Sequence, residues 1–346
     1  MSIKNIKDIK NIKVMIPAAV AVLVIGYLGL SSYASGQAED RLTAFVSENN
    51  LEDTISWKSV SASPFGGTVT VNKVKVENEN LLPVELLINK VVIKDFKNDS
   101  KDNSANILFS KIQPIDDENE FGQYYHNEIF GMVKAVNEGK EIAPYDLHLN
   151  WHYQAKNKSL KLGIKASAPN VVESEFEADL ENVADLSSLS QARYLHPAFN
   201  MIPDISGGQD RYDHRAEQRF EKTKVKYLAM QFKDQGYLAR LNTLEQRYNL
   251  PVSPLKGDAD KQRKELVKAQ YQAMVSECES NFSDVYDGYK KACAALAATW
   301  FSTEKGFRIV VDPKQPVSLS ALEDLNASEK KAKKVITDLN ISVKNL

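Results

Sequence analysis

An uninterrupted apolar run near the N-terminus constrains this chain more than any other feature. The run covers residues 14–33 and contains no charged residue. Four lysines precede it at intervals of three: Lys4, Lys7, Lys10 and Lys13. At helical rise such a run is about 30 Å long, the thickness of a bilayer's hydrocarbon core. Because basic residues stay on the cytoplasmic side, we predict a cytoplasmic basic stub at 1–13 and a transmembrane signal anchor at 14–33.

A cleaved signal peptide is the alternative interpretation of this segment. Ser32, Tyr33 and Ala34 provide small residues near a possible cleavage site. The apolar part of a signal peptide is usually only about 7–15 residues long, however, so the longer run favours an uncleaved anchor. No second apolar run in the sequence approaches this length. We therefore expect a single-pass protein with the bulk of the chain outside the cytoplasm.

Residues 34–208 have the patterns of a strand-rich region. A short helix is predicted from Ala38 to Glu48, and from Thr54 onward the apolar residues alternate with polar ones. The alternation then changes phase, because valines occupy odd positions at 69 and 71 but even positions at 74 and 76. This change indicates either a bulge near Asn72 and Lys73 or a strand that is apolar on both faces.

Later strands in this region alternate more regularly. The segment "VELLINKVVIKDF" is predicted to be a strand with Leu86, Ile88, Val92 and Phe96 in one register. The segment "YDLHLNWHYQA" places Leu149 and Trp151 on one face and His148 and His152 on the other. Residues four apart in a strand are separated by about 13 Å, so the two histidines are not expected to bind one metal ion.

A change of period divides the rest of the chain. Residues 209–301 have helical periodicity, including Tyr227 and Met230, and are predicted to be a helical block. Residues 302–346 return to alternation and are predicted to be a strand, a helix and a strand that complete the sheet. The expected fold class is α+β: an N-terminal transmembrane helix, then a curved, mostly antiparallel sheet with a large inserted helical block.

The sequence contains two cysteines, Cys278 and Cys293, separated by a plausible turn at "SDVYDG". Outside the cytoplasm they are expected to form a disulfide, which would close a short loop between two helices. The alternative is a pair of buried free thiols on helix faces.

Composition and motifs exclude several function classes. The net charge of -2 and the pI of about 6.3 give no basic field for nucleic acid. The sequence lacks a nucleophile elbow, a phosphate loop, a dinucleotide fingerprint and a zinc-ligand pair, so we expect no cofactor, no metal and no catalytic residues. An enzyme built from a distant pair of carboxylates is a third, weaker interpretation.

Two segments resemble those of AsmA-like and related membrane-anchored periplasmic envelope proteins of Gram-negative bacteria. They are "WKSVSASPFGGTVTVNKVKVEN" after the span and the ending "FRIVVDPKQPVSLSAL" with its following helix and "LNISV" strand. The resemblance covers about half of the chain. It implies an inner-membrane location with the N-terminus in the cytoplasm, a periplasmic domain with a lipid-accommodating groove, and a role in envelope lipid transport or homeostasis.

We therefore expect a non-enzymatic protein that binds membrane lipid or another apolar ligand along a groove of the sheet. The predicted lining residues are aliphatic or aromatic strand positions: Val69, Val71, Leu86, Ile88, Leu149 and Trp151. The alternative is an anchored scaffold or adaptor whose helical block, residues 209–301, docks a protein partner in the envelope. Exposed apolar residues on those helices would favour the alternative.

Overall fold

A computed structural model describes residues 35–48, 51–63, 67–77, 85–98, 101–115, 136–137, 143–183 and 222–346. The predicted stub and anchor at 1–33 lie outside these residues. In the part of the chain that is described, no helix has both the length and the apolar character needed to cross a membrane. The chain divides into two compact units, and the described residues of the first are those up to 115, 144–160 and 182–183.

The first unit pairs one helix with an antiparallel sheet. Its elements are α1 (Ser35–Glu48), β1 (Ile55–Ser56), β2 (Ser59–Ala62), β3 (Thr68–Val76), β4 (Leu86–Asn98), β5 (Asp102–Pro114) and β6 (Tyr145–Gln154). The strand order is β1-β3-β4-β5-β6, and β2 also pairs with β3. Helix α1 lies against β2 and buries Ala38, Leu42 and Val46. The short helix predicted in this region is confirmed.

Strands β3, β4 and β5 share an irregularity in their pairing at adjacent positions. Lys73 and Lys111 have positive φ angles of 53° and 56°, and neither pairs with Asn89, which lies between them on β4. Buried positions change parity here in all three strands: from 69 and 71 to 74 and 76, from 86 and 88 to 91 and 93, and from 109 to 112. The phase change predicted near Lys73 is thus part of a larger feature that keeps one face buried.

This irregularity also corrects the predicted register of β4. Leu86 and Ile88 are buried as expected, but the next buried residues are Val91 and Ile93 rather than Val92 and Phe96. The alternation restarts between Ile88 and Val91, so an uninterrupted period of two assigns the later residues to the wrong face.

The second unit contains the described residues 136–137, 143, 161–181 and 222–346. Its strands are β7 (Ser159–Ala168, counted here from Lys161), β8 (Val172–Glu181), β9 (Lys224–Asp234), β10 (Gly306–Val311), β11 (Val317–Ser318) and β12 (Ile341–Asn345). The strand order is β7-β8-β9-β10-β12, with β11 on β9. Its helices are α2 (Tyr237–Tyr248), α3 (Ala259–Phe282), α4 (Tyr289–Trp300) and α5 (Glu329–Leu339). The coarse fold prediction, α+β with a mostly antiparallel sheet, is confirmed.

The predicted helical block is wrong for residues 224–234, which form β9. Tyr227 and Met230 are three apart, which suits one helix face, but in β9 they lie on opposite faces of the sheet. The segment "KVKYLAMQFKD" has apolar residues at both parities, so its periodicity fits either structure. Pairing with β8 on one side and β10 on the other selects the strand.

Local signals explain where α3 and α5 begin and how α3 is held. The Asp258 side chain accepts from the Lys261 amide at 2.8 Å to cap α3, and Ser328 caps α5 in the same way. The predicted disulfide between Cys278 of α3 and Cys293 of α4 is present, with Cα atoms 5.7 Å apart. It ties the end of α3, the longest helix among the described residues, to α4, which in turn contacts β10 and β12.

We predict that Phe109→Ala destabilises the chain by about 3–5 kcal/mol, because Phe109 is fully buried on β5 and its removal leaves a cavity. Leu108→Ala is the matched control, since Leu108 precedes it on the exposed face. Urea denaturation followed by circular dichroism measures both. Equal losses of stability would contradict the assignment of the two faces.

We also predict that replacing both cysteines, Cys278→Ser with Cys293→Ser, lowers the unfolding free energy by about 3 kcal/mol. The bridge closes a loop with a sequence separation of 15, and opening it raises the entropy of the unfolded chain. A reducing agent should destabilise the native chain to the same extent and leave the double variant unaffected. A native chain insensitive to reduction would count against the bridge.

Candidate apolar binding face

The structure brings the six predicted lining residues onto one face of the first unit. In the sheet register, Val69 of β3 and Leu149 of β6 belong to one cross-strand row, with Ile93 and Ile107 between them. The remaining predicted residues lie in neighbouring rows of the same face: Val71, Leu86, Ile88 and Trp151. The six residues therefore share one face of this sheet.

That face is a packed core at the aliphatic positions. The five aliphatic residues are between 2% and 8% exposed: Val69, Val71, Leu86, Ile88 and Leu149. An open groove along these side chains was expected, and the structure instead buries them among the chain's own residues. Desolvation by burial also raises the pKa of Tyr145, which pairs with Ile112 in the row of Ile88, to about 12.

Polar side chains of β5 and β6 form cross-strand hydrogen bonds on both faces near Trp151. Trp151 is half-buried, and its Nε1 donates to Asn103 Oδ1 at 3.0 Å. On the opposite face, His148 Nε2 lies 2.7 Å from Asn106 Oδ1, and His152 Nε2 lies 2.7 Å from Asp102 Oδ1. Each histidine therefore has its own cross-strand partner from β5.

The buried residues of the second unit are much smaller. Its buried apolar side chains, among those the structure describes, are Val136, Ala178, Val225, Ala229, Cys293, Ala295, Ala297, Ala298, Ala332, Val335 and Leu339. The first unit buries Phe109, Ile107 and Leu42 completely. The aromatic residues, leucines, isoleucine and methionine described in the β8–β10 sheet and on α2 are all at least partly exposed. The second unit thus buries its large apolar side chains less completely than the first.

Strand β8 divides the sheet of the second unit into a charged face and an apolar face. Every second residue from Glu173 to Glu181 is acidic, and the residues between them are Ser174, Phe176, Ala178 and Leu180. Successive side chains of a strand point to opposite faces. The acidic residues therefore lie on one face, and Phe176 with its neighbours lies on the other.

Cations from three strands pair with acids of the charged face, and the one from β9 is Lys226, which lies 3.6 Å from Glu181. Lys165 of β7 lies 2.8 Å from Glu173, and this hydrogen bond lowers the pKa of Glu173 and raises that of Lys165. Arg308 of β10 donates to Tyr227 Oη and to Glu177 Oε2, both at 3.2 Å. The hydrogen bond with Tyr227, followed by the charge of Glu177, raises the pKa of Arg308. The charged face is thus internally paired.

The apolar face is built from rows that cross four strands. Phe176, Met230, Ile309 and Val343 form one row. The row on one side contains Phe232 and Phe307, whose rings stack with centroids 5.8 Å apart. The row on the other side contains Ala178, Leu228, Val311 and Ile341. The rows therefore form a continuous apolar surface with no charged residue in the central row.

Met230 lies near the middle of this surface and is 44% exposed. Its row neighbours Phe176 and Ile309 are half-buried. Four adjacent strands span about 15 Å at ordinary spacing, which is about half the thickness of a bilayer's hydrocarbon core. The central row is therefore about 15 Å long and consists of apolar side chains.

Sequence reasoning missed this face although one signal was available. The strict alternation of acids in "VESEFEADLE" marks β8 as a strand with one charged and one apolar face. No local pattern identifies Met230 and Ile309 as part of this face. They lie beside Phe176 only because β9 pairs with β8 and with β10. The predicted site was instead placed on the more aliphatic strands, which form the core.

Comparisons with known proteins assign no family to the chain. No protein-family model matches it, and no curated protein matches its sequence.

Proposed function

We propose that the chain is a non-enzymatic, membrane-anchored envelope protein that binds a lipid acyl chain on the apolar face of its second unit. The observation that carries this proposal is the 44% exposure of Met230 in the middle of a row of apolar side chains. A central sheet position is ordinarily buried by a second layer, so an exposed methionine there indicates surface that is available to a ligand.

The side chains on this face suit an acyl chain better than a polar ligand. Phe176, Met230 and Ile309 carry no hydrogen-bonding group, and the unbranched thioether of methionine adapts to irregular apolar partners. Each methylene transferred from water to such a surface contributes about 0.8 kcal/mol. A long chain that covers even part of the row would therefore bind without any charged contact.

The opposite face supports this arrangement by holding the sheet in place. Its ion pairs link β7 to β8 through Lys165 and Glu173, and β8 to β10 through Glu177 and Arg308. These contacts connect strands from the side away from the apolar face. The ion pairs thus hold the strands together even though the side chains of the apolar face are only partly buried.

The proposed function is the one predicted from the sequence, but its proposed site lies in the second unit instead of the first. Lipid binding by an anchored periplasmic sheet is what the resemblance to AsmA-like envelope proteins implies. The aliphatic lining expected in the first unit is packed, whereas the face of the second unit is accessible. The chemistry of the ligand is unchanged, since both faces are aliphatic and aromatic.

The test compares two adjacent residues of β9 that point to opposite faces. We expect Met230→Glu to weaken binding of a fluorescent long-chain fatty acid to the full chain by on the order of tenfold or more, because a carboxylate would be desolvated by the acyl chain. Gln231→Glu introduces the same charge on the other face and should bind like the native chain. Fluorescence titration measures the affinity, and circular dichroism confirms that both variants fold.

Mass spectrometry of solvent extracts from the purified chain provides a second readout. The native chain and Gln231→Glu should carry co-purifying lipid, and Met230→Glu should carry less. The proposal is overturned if all three chains bind the fatty acid equally or if none carries lipid.

Docking of an envelope protein is a second candidate function. Trp300 at the end of α4 is 56% exposed and Phe282 at the end of α3 is 48% exposed, and such residues often anchor interfaces. A stoichiometric crosslinked partner that is lost in Trp300→Lys and Phe282→Lys, but kept in Met230→Glu, would favour this function over lipid binding.

A further inference from the structure

The turn between α2 and α3 presents the most exposed large apolar residue among those the structure describes. Leu255 lies in a 3₁₀ turn, Pro254–Lys256, and is 97% exposed. Tyr248, the last residue of α2, is 72% exposed. Tyr248 thus borders the segment that connects the helices and Leu255 lies within that segment, which is distinct from the apolar sheet face.

This turn is held in one conformation by a single side chain. Gln262 of α3 accepts from the Ser253 amide at 2.9 Å and donates to the carbonyls of Ser253 and Gly257 at 2.9 and 3.0 Å. Gly257 has a φ of 89°, which a residue with a side chain rarely adopts, and Asp258 caps the following helix. These contacts hold the backbone on both sides of Leu255.

Basic residues outnumber acidic ones in the sequence on either side of the exposed leucine. Residues 247–264 contain five of them against two acidic residues, in a chain whose net charge is -2. The five are Arg247, Lys256, Lys261, Arg263 and Lys264. Arg263 is paired with Asp260 at 2.9 Å, and the Arg247 guanidinium lies 6.0 Å from the Tyr248 ring centre. The turn thus combines a protruding apolar side chain with local positive charge.

We propose that this turn inserts into the surface of an anionic lipid bilayer. Leu255 enters the boundary between headgroups and acyl chains, Tyr248 lies at headgroup level, and Lys256 with Arg247 binds lipid phosphates. Tyrosine is enriched at this depth, and basic residues are attracted to anionic headgroups. The combination of an apolar tip and a basic surround is that of peripheral membrane contacts.

The geometry favours a bilayer over a protein partner. A stable protein interface buries on the order of 1,000 Å² or more between complementary surfaces. One leucine on a narrow turn, next to Lys256, offers a point contact instead, and a bilayer accepts such a contact without a shaped pocket. A point contact is weak alone but gains from the high local lipid concentration that any membrane tether provides.

The test places a fluorescent reporter at the tip. The full chain carrying Leu255→Trp is incorporated into vesicles of phosphatidylglycerol and acyl-brominated phosphatidylcholine in equal parts, and its emission is compared with that of the native chain. Bromine quenches tryptophan on contact, so we expect the added emission to fall by about half or more and to shift to the blue. Thr243→Trp, on an exposed position of α2, is the matched control and should not be quenched.

The charge requirement is tested in the same vesicles. Adding Lys256→Glu to Leu255→Trp should reduce insertion on the order of tenfold, and vesicles without phosphatidylglycerol should give little quenching. An unquenched tip, or equal quenching of the tip and the Thr243→Trp control, overturns the proposal. Quenching that is independent of lipid charge also overturns the proposal. A spectral shift that appears only when a soluble protein is added overturns it as well.

Discussion

The buried face of the first unit depends on three neighbouring strands changing phase together. Lys73 and Lys111 adopt left-handed backbone angles that cost about 1–2 kcal/mol each for a residue with a side chain. The Lys111 amide donates to Asp146 Oδ1 at 2.7 Å, which fixes one end of this line. Without the coordinated change, the rows that begin at Val69 and at Val74 would face opposite sides, and neither side would be fully apolar.

The second unit buries its large apolar side chains less completely than the first. Its acidic residues in β8 are paired across strands, while the large apolar residues on the other face remain partly exposed. Phe176, Met230 and Ile309 are only partly buried, so their further burial would be favourable. An acyl chain bound on this face would bury them, and the proposed function is assigned to the face for that reason.

Several features were predictable because their signals are local. The helix ending at Glu48, the strand beginning near Gly306 and the terminal helix each have one clear period and recognisable ends. The disulfide was predictable because two cysteines separated by a turn have few other partners. In contrast, "KVKYLAMQFKD" has apolar residues at both parities, and its identity as β9 depends on β8 and β10.

In elements with one uninterrupted period, such as β6, the sequence by itself determined which residues share a face, because side-chain direction follows the period of the strand or helix. It placed Val69, Leu149 and Trp151 on apolar faces, and the structure agrees. Only the tertiary structure decided which apolar face is enclosed and which stays accessible, since burial depends on what packs against a face from distant parts of the chain. For that reason the aliphatic face of the first unit became core, and the row through Met230 became the candidate site.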